Sequence, residues 1–446
     1  MTRIREPRAV ELMTTGMCPL KCEYCYIPKT DEMVRMHEQI VEDLKSGEYF
    51  DRLEKIVGDR IEYLGFWGTE PTLTLPIIKE KIPEIFRRFS KIKEISFSTS
   101  MIGHAGEIVV DFIKELADYP VKVKVQMSLD GPAWITDKNR MEGASEFIPA
   151  NFRKAVTLLN DVELGKCRVE FSWKATHGIE NMQGFIDVPA RVVGYDEFFR
   201  SHNDWFYAEN KNEKVFLNHG SYVPTLVVPG KYTSSDGKIF SEYLSLLDSM
   251  NVRTTYPGRL HRLFRYEDEL SKRCMFSCSG GDSNFGLGRE VHICHRTFYL
   301  NDDRYIDSVL KDKEIENWDV SLFKRGTIEH IRKNFIVPVD DTTRFFYTMR
   351  GYHDFWKFQN GYIVAMVKEM ALSGQASPEY LTDDQLCLTL ALFLGGAMSC
   401  PMENVLNTGS IHLQLMSIIR LWANGAFQQV LGRVVEDYNV KLSRRK

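Results

Sequence analysis

Apolar and polar positions alternate along the first 250 residues with two periods that replace each other in turn. Short apolar or every-second-residue runs mark strands, and longer stretches with apolar residues three and four apart mark helices. The pattern predicts strands at Val10–Thr14, Ile61–Trp67, Glu94–Ser100, Val121–Leu129 (where Val and Lys alternate), Arg168–Ala175 and Tyr222–Val228. Between them it predicts helices at Asp31–Gly47, Leu75–Phe89, Gly106–Ala117, Ala150–Leu159, about Asn181–Trp205, and Ser235–Met250. Strands separated by helices of this length build βα units on a parallel sheet. Six units predict a partial (β/α)6 TIM-like barrel in an α/β fold, with chemistry at the C-terminal ends of the strands.

The pattern breaks after about Arg259. Cys274–Thr297 is rich in Gly and Cys, and from about Trp356 the chain reads as helical, with a capping box at Thr382–Gln385 opening an apolar helix. The predicted organisation is a barrel at 1–255, a Cys-bearing hairpin region at 256–310 and a mainly helical region at 311–446.

Composition adds constraints. At 446 residues, 43% hydrophobic and 12% aromatic, the chain can bury a large core. A net charge of −4 gives no electrostatic footprint for nucleic acid, and none is expected as a partner. The longest uncharged apolar stretch, Leu386–Cys400, is shorter than the roughly 20 residues a membrane helix needs. The charged N-terminus lacks the apolar core of a signal peptide, so a cytoplasmic location is expected. There the nine cysteines stay reduced, and clustered reduced thiols point to metal.

Three of them, Cys18, Cys22 and Cys25, fall within eight residues directly after the first strand. Three thiolates in one loop can hold three irons of a cubane cluster and leave the fourth iron open, as a reactive site requires. A zinc knuckle with a remote fourth ligand is the alternative on spacing alone.

This CxxxCxxC run, with aromatic Tyr24 before its third Cys, resembles the radical S-adenosylmethionine (SAM) superfamily. Other motifs follow in order. Gly68-Thr69-Glu70-Pro71 resembles the GGEP motif, with Thr69 in place of the second Gly. Thr99-Ser100 resembles the TN pair, with Ser for Asn. Ser128–Pro132 followed by Asp137–Arg140 resembles the SLDGP…DxxR signature of the SPASM/twitch branch, which includes sulfatase-maturing enzymes and ribosomal-peptide maturases. Ile135-Thr136 stands where that branch often has a His. Thr176–Asn181 resembles the segment after strand five. The resemblance covers about residues 8–300.

It implies a [4Fe-4S] cluster on Cys18, Cys22 and Cys25, with SAM on the open iron. It places Tyr24, Gly68, Thr69, Glu70, Thr99, Ser128, Arg140 and Thr176 at the SAM site, Glu70 toward the amine and Arg140 as a fork for the carboxylate. Arg140 read as a solvated residue at a helix end is the alternative. The resemblance also implies reductive cleavage of SAM to a 5′-deoxyadenosyl radical, an oxidoreductase-type enzyme.

Cys278…Gly288…Cys294 resembles the hairpin of the twitch/SPASM-like auxiliary region, with five residues between Gly and Cys where four are usual. Six cysteines remain beyond the triplet, enough for one auxiliary iron–sulfur cluster and not two; Cys274, Cys278, Cys294 and Cys400 are its expected ligands. Cys167 and Cys387 read as buried thiols, and His292 and His295 as hairpin surface residues able to substitute as ligands. The expected substrate is a peptide or protein, with a flavodoxin- or ferredoxin-type electron donor. Leader recognition is expected from a separate protein, the barrel or the 300–446 region. A small-molecule dehydrogenase, epimerase or mutase is the second reading, and a non-catalytic zinc or iron–sulfur protein the third. No general base stands out among Asp282, Glu290 and His295.

Overall fold

The computed structural model describes residues 8–218 except 23, 26 and 28, and short stretches at 225–226, 238–239, 242–243, 245–246, 284–292, 297–298, 300, 328–333 and 336–341. Strands β1 (Ala9–Thr15), β2 (Tyr63–Gly68), β3 (Glu94–Thr99), β4 (Lys122–Ser128) and β5 (Arg168–Lys174) lie side by side in sequence order, all parallel. A two-residue strand β6 (Thr176–His177) follows β5, and β7 (Val215–Asn218) joins the sheet as the sixth parallel strand. This is the parallel sheet of a partial TIM-like barrel.

The sixth strand is displaced from its expected place. Val215 and Leu217 are buried while Phe216 and Asn218 are exposed, so four residues suffice for a half-buried edge strand. In the apolar stretch at 222–228, β8 (Thr225–Leu226) pairs instead with β6 in a separate two-stranded sheet.

Helices connect the strands. After β1 come α1 (Asp31–Ser46) and α2 (Glu48–Val57). Thr30 caps α1 by accepting from the Met33 amide, and Gly47, at φ +89°, ends it and lets α2 start at once. The single helix expected over 75–89 is two, α3 (Leu75–Glu80) and α4 (Ile82–Arg88), with Pro83 in the first turn of the second. After α5 (Ala105–Glu115), α6 (Ala133–Asn139) and α7 (Ala144–Asn160), the helix expected over 181–205 is also two, α8 (Ile179–Asp187) and α9 (Ala190–Glu209), divided before Pro189.

Strand alternation assigns the two faces of the sheet. On β4, Val123, Val125 and Met127 are buried, while Lys122, Lys124, Gln126 and Ser128 stay partly exposed. The buried face meets the helices: Phe66 of β2 and Phe97 of β3 both abut Phe112 of α5 edge-on, and Phe152 of α7 packs on Phe171 and Trp173 of β5. The other, inner face is polar. Lys124 pairs with Glu94 at 2.7 Å, Lys122 with Glu170 at 2.6 Å, and Ser98 donates to Gln126 at 3.1 Å. Such half-exposed pairs are worth about 0.2–1 kcal/mol each, so packing on the helix side holds the sheet.

Beyond β1, on the opposite edge, β9 (Asn284–Leu287) adds in parallel, followed by antiparallel β10 (Val291–His292) and β11 (Ile336–Val337). The hairpin predicted around Gly288 is present between β9 and β10 and extends the barrel's own sheet. The buried Tyr49 hydroxyl lies 2.6 Å from the carbonyl oxygens of both Met13 and Leu287, joining β1 to β9 at their C-terminal ends. Arg289 of the turn reaches Asp43 of α1. His292, expected on the surface, is buried because β10 lies between β9 and β11 and its ring meets Phe298 at 4.6 Å. Among the described residues no helix is long and apolar enough to cross a membrane. Of the region expected to be mainly helical, only 328–333 and 336–341 are described, and the helices expected from about Trp356 lie outside the described residues.

Candidate active site

The β1–β2 pairing is irregular between Met13 and Thr15, at the point where β1 gives way to the cysteine loop. The loop's base is tied down from several sides. The Met17 amide donates to Thr15 Oγ1 at 3.0 Å, the Thr69 hydroxyl donates to the Met17 carbonyl, and the Thr69 amide donates to the Thr15 carbonyl at 3.3 Å. Gly68 makes the last approach possible. Its φ is +142°, and a Cβ there would lie 2.3 Å from the Thr15 carbonyl oxygen.

Cys18 and Cys22 are half-buried and Cys25 is exposed. Burial pushes the Cys18 thiol up to about 11, against the pull of the Leu20 amide, which donates to its sulfur at 3.4 Å. Burial also raises Cys22, and the nearby Arg140 charge works against it. A metal's charge, or a guanidinium beside the thiol, is what such a loop needs to hold thiolates near neutral pH. Among the described residues no three His, Cys, Asp or Glu side chains converge as ligands of one metal ion. A cubane places each thiolate on a different iron, so this donor set fits three irons of a cluster.

Glu70 follows β2 by two residues and is buried. Its Oε1 accepts from the Thr72 amide at 3.3 Å and the Thr72 hydroxyl at 2.6 Å. Its Oε2 accepts from the Ser100 amide at 2.7 Å and the Ser100 hydroxyl at 2.5 Å. A carboxylate offers about four lone-pair sites, and all four are filled. An amine reaching Glu70 therefore has to turn the Thr72 or Ser100 hydroxyl from donor to acceptor. Thr99 is buried and accepts from the Met101 amide at 2.9 Å. Met101 itself sits at φ +52°, uncommon for a residue with a side chain, and Asn151 donates to its carbonyl at 2.7 Å. This turn presents the Ser100 donors to Glu70.

The second half of the site converges on Asp130, at the end of β4. Its carboxylate accepts from Arg140 Nε at 2.9 Å and Nη2 at 2.8 Å, the Tyr24 hydroxyl at 2.8 Å and the Thr176 amide at 2.8 Å. Burial is the largest influence on the guanidinium and lowers its pKa, but Asp130, Tyr24 and Cys22 together raise it above its usual range. Burial raises the Tyr24 phenol well above its usual range, and Asp130 adds to this. The Asp130 carbonyl oxygen lies 2.7 Å from His177 Nε2, and Tyr243 meets the other ring nitrogen. Burial lowers the pKa of His177.

The structure thus brings Tyr24, Arg140 and Thr176 onto one carboxylate, joins Glu70 to the turn after Thr99, and places Gly68 and Thr69 against the base of the cysteine loop. Ser128 ends β4 on the polar face, partly exposed. Arg140 is no solvated helix-end residue: its side chain is 6% exposed, and its Nε–Nη2 edge is taken by Asp130. The sequence motifs did not assign Asp130, Thr72, His177 or Tyr243. For Asp130 a signal existed, an acid at a strand end just before Gly131. Cys167 is buried, as a core thiol should be. Cys274, Cys278, Cys294, Cys387, Cys400 and His295 lie outside the described residues.

Comparison with known proteins agrees with this geometry. Residues 12–157 match the family model described as the Radical SAM superfamily, and this segment is a radical SAM domain, which implies a SAM-binding [4Fe-4S] cluster. A solved structure of hexahistidine-tagged anSMEcpe with bound AdoMet shares the fold, with a TM-score of 0.51 and 15% identity over 97% of this chain and 96% of that one. Native anSMEcpe with bound AdoMet aligns at a TM-score of 0.49 and 15% identity, over 96% of this chain and 99% of that one. A curated relative, the "Uncharacterized HTH-type transcriptional regulator YugG" of Bacillus subtilis (strain 168), is 32% identical over 116 residues, 24% of this chain. The chain spans 66%, just under two thirds, of that relative's length.

Proposed function

We propose that this chain holds a [4Fe-4S] cluster on Cys18, Cys22 and Cys25, binds SAM beside it at the C-terminal ends of the parallel strands, and modifies a peptide or protein by hydrogen abstraction. The observation that carries the reading is the three-thiol loop at the end of β1, its base held by Thr15 and Thr69 and the buried Glu70 following the neighbouring strand. When bound and reduced by a flavodoxin- or ferredoxin-type donor, the cluster supplies the electron that cleaves SAM to the 5′-deoxyadenosyl radical. The chain's own residues do the rest. Thr15, Gly68 and Thr69 fix the loop. Glu70, with the Thr72 and Ser100 hydroxyls, offers a buried anionic cradle for an ammonium group. Ser128 and Thr99 lie at neighbouring strand ends, where ribose or carboxylate oxygens would be met.

The oxidoreductase-type reaction and the peptide substrate rest on the SLDGP…DxxR run and on the fold shared with AdoMet-bound anSMEcpe. One auxiliary iron–sulfur cluster on Cys274, Cys278, Cys294 and Cys400 belongs to the same reading, as does leader recognition by a separate protein, the barrel or the 300–446 region. The test is anaerobic incubation of reconstituted protein with SAM, reductant and the peptide encoded beside its gene, read by mass spectrometry. Loss of two hydrogens, or deuterium uptake from heavy water at one residue, supports the peptide reading. SAM cleavage with an unaltered peptide contradicts it.

A further inference from the structure

Asp130 gathers hydrogen bonds from three segments: the cysteine loop, the end of α6 and β6. It receives the Tyr24 hydroxyl from the cysteine loop, the Arg140 fork from the end of α6, the Thr176 amide from β6 and, at 3.5 Å, the Asn139 amide. Tyr24 stands between Cys22 and Cys25, so its bond to Asp130 ties the stretch that carries two of the three thiols to the ends of β4 and β6. The Arg140 guanidinium lies over the Tyr24 ring, 5.5 Å from its centre, and is gripped on one edge by Asp130. Both groups that border the loop on this side are therefore set by one carboxylate, itself fully buried.

We propose, on the reading that this loop holds a cluster, that Asp130 is a positioning residue. Through Tyr24 it presets the cysteine loop before metal arrives, and through Arg140 it fixes a positive charge over the Tyr24 ring, against that loop. Asp130 holds the Nε–Nη2 edge of Arg140, which leaves its Nη1 side to face the loop or a ligand.

The test uses the full chain in two states. In metal-free protein, hydrogen–deuterium exchange is followed for the amides of residues 18–25 in wild type, Tyr24→Phe, Asp130→Asn and the double variant. Tyr24→Phe should speed exchange there by about tenfold, roughly the factor that one charge-assisted hydrogen bond represents. The double variant should exchange no faster than Asp130→Asn alone. If Asp130→Asn fails to fold, Tyr24→Phe leaves the buried ion pair in place and carries the test. In reconstituted protein, Arg140→Gln should lower the cluster's midpoint potential, and Arg140→Lys should restore some of the loss. Unchanged loop exchange in Tyr24→Phe, or an unchanged potential in Arg140→Gln, overturns the proposal. If the wild type assembles no cluster, the cluster reading fails, while the metal-free exchange still decides whether Asp130 presets the loop.

Discussion

Replacing Glu70 by Gln keeps the shape of the side chain and inverts half of its hydrogen bonding, so the cost follows from the four donors around it. Each carboxylate oxygen accepts one backbone N–H and one hydroxyl. A hydroxyl can rotate and accept from the new NH2 group; a backbone N–H cannot. The cheaper orientation turns the NH2 toward Thr72, where the amide bond is the longer, at 3.3 Å against 2.7 Å. That strands the Thr72 N–H, at about 1–3 kcal/mol, and weakens two bonds at Ser100 from charge-assisted to neutral, about 1 kcal/mol each. The total is about 3–5 kcal/mol. The measurement is urea unfolding of the metal-free chain by tryptophan fluorescence, with hydrogen exchange over residues 68–76 and 97–104 to localise the effect. Glu70→Gln should unfold at clearly lower urea and exchange faster in those two segments. A wild-type midpoint with unchanged exchange would refute the saturated-carboxylate account.

Gly68→Ala should lower both stability and iron loading, because the new Cβ meets the Thr15 carbonyl oxygen at 2.3 Å and φ +142° disfavours any side chain; iron per chain after reconstitution and the unfolding midpoint check it. Burial holds His202 at about 4 and His292 at about 3, below the unfolded value of about 6.5. Between these values the unfolded chain binds more protons, so stability should fall as pH drops from about 6.5 toward 4, and His202→Phe should flatten that slope in urea midpoints taken against pH. Cys18 is shifted the other way, to about 11. Its alkylation in the folded metal-free chain should keep rising up to that pH, whereas in the urea-unfolded chain it should level off near 9, and peptide mapping separates the two curves.

The parallel sheet was legible because its strands announce themselves. Lys-Val-Lys-Val-Gln-Met-Ser in β4 carries both the period of two and the split between a polar inner face and a helix-covered one. Helix breaks were less visible. Pro83 falls in the first turn of α4 without interrupting the apolar pattern, so α3–α4 read as one helix, while α1 was placed up to Gly47 and α2, which starts directly after it, was not assigned. The sixth strand was misplaced because apolar weight favours 222–228, whereas a sheet edge needs only the two buried residues of Val215–Asn218. The cysteine triplet was identifiable by spacing, and Glu70 and Arg140 by the resemblance of their motifs to the radical SAM superfamily, but their partners were not. Which carboxylate takes the Arg140 fork depends on bringing residues 24, 130, 140 and 176 together. Similarly, the burial of His292 depends on β11, which arrives from more than 40 residues away.

The central claim is that the loop of Cys18, Cys22 and Cys25 holds a cluster that cleaves SAM. The most direct measurement is 5′-deoxyadenosine formation by anaerobically reconstituted protein given SAM and dithionite, compared with the variant in which all three cysteines are Ala. The account predicts product from the wild type and none from the variant, even if the variant retains iron at the auxiliary cysteines. Equal 5′-deoxyadenosine from both proteins, or none from a wild type carrying a full cluster, would contradict it.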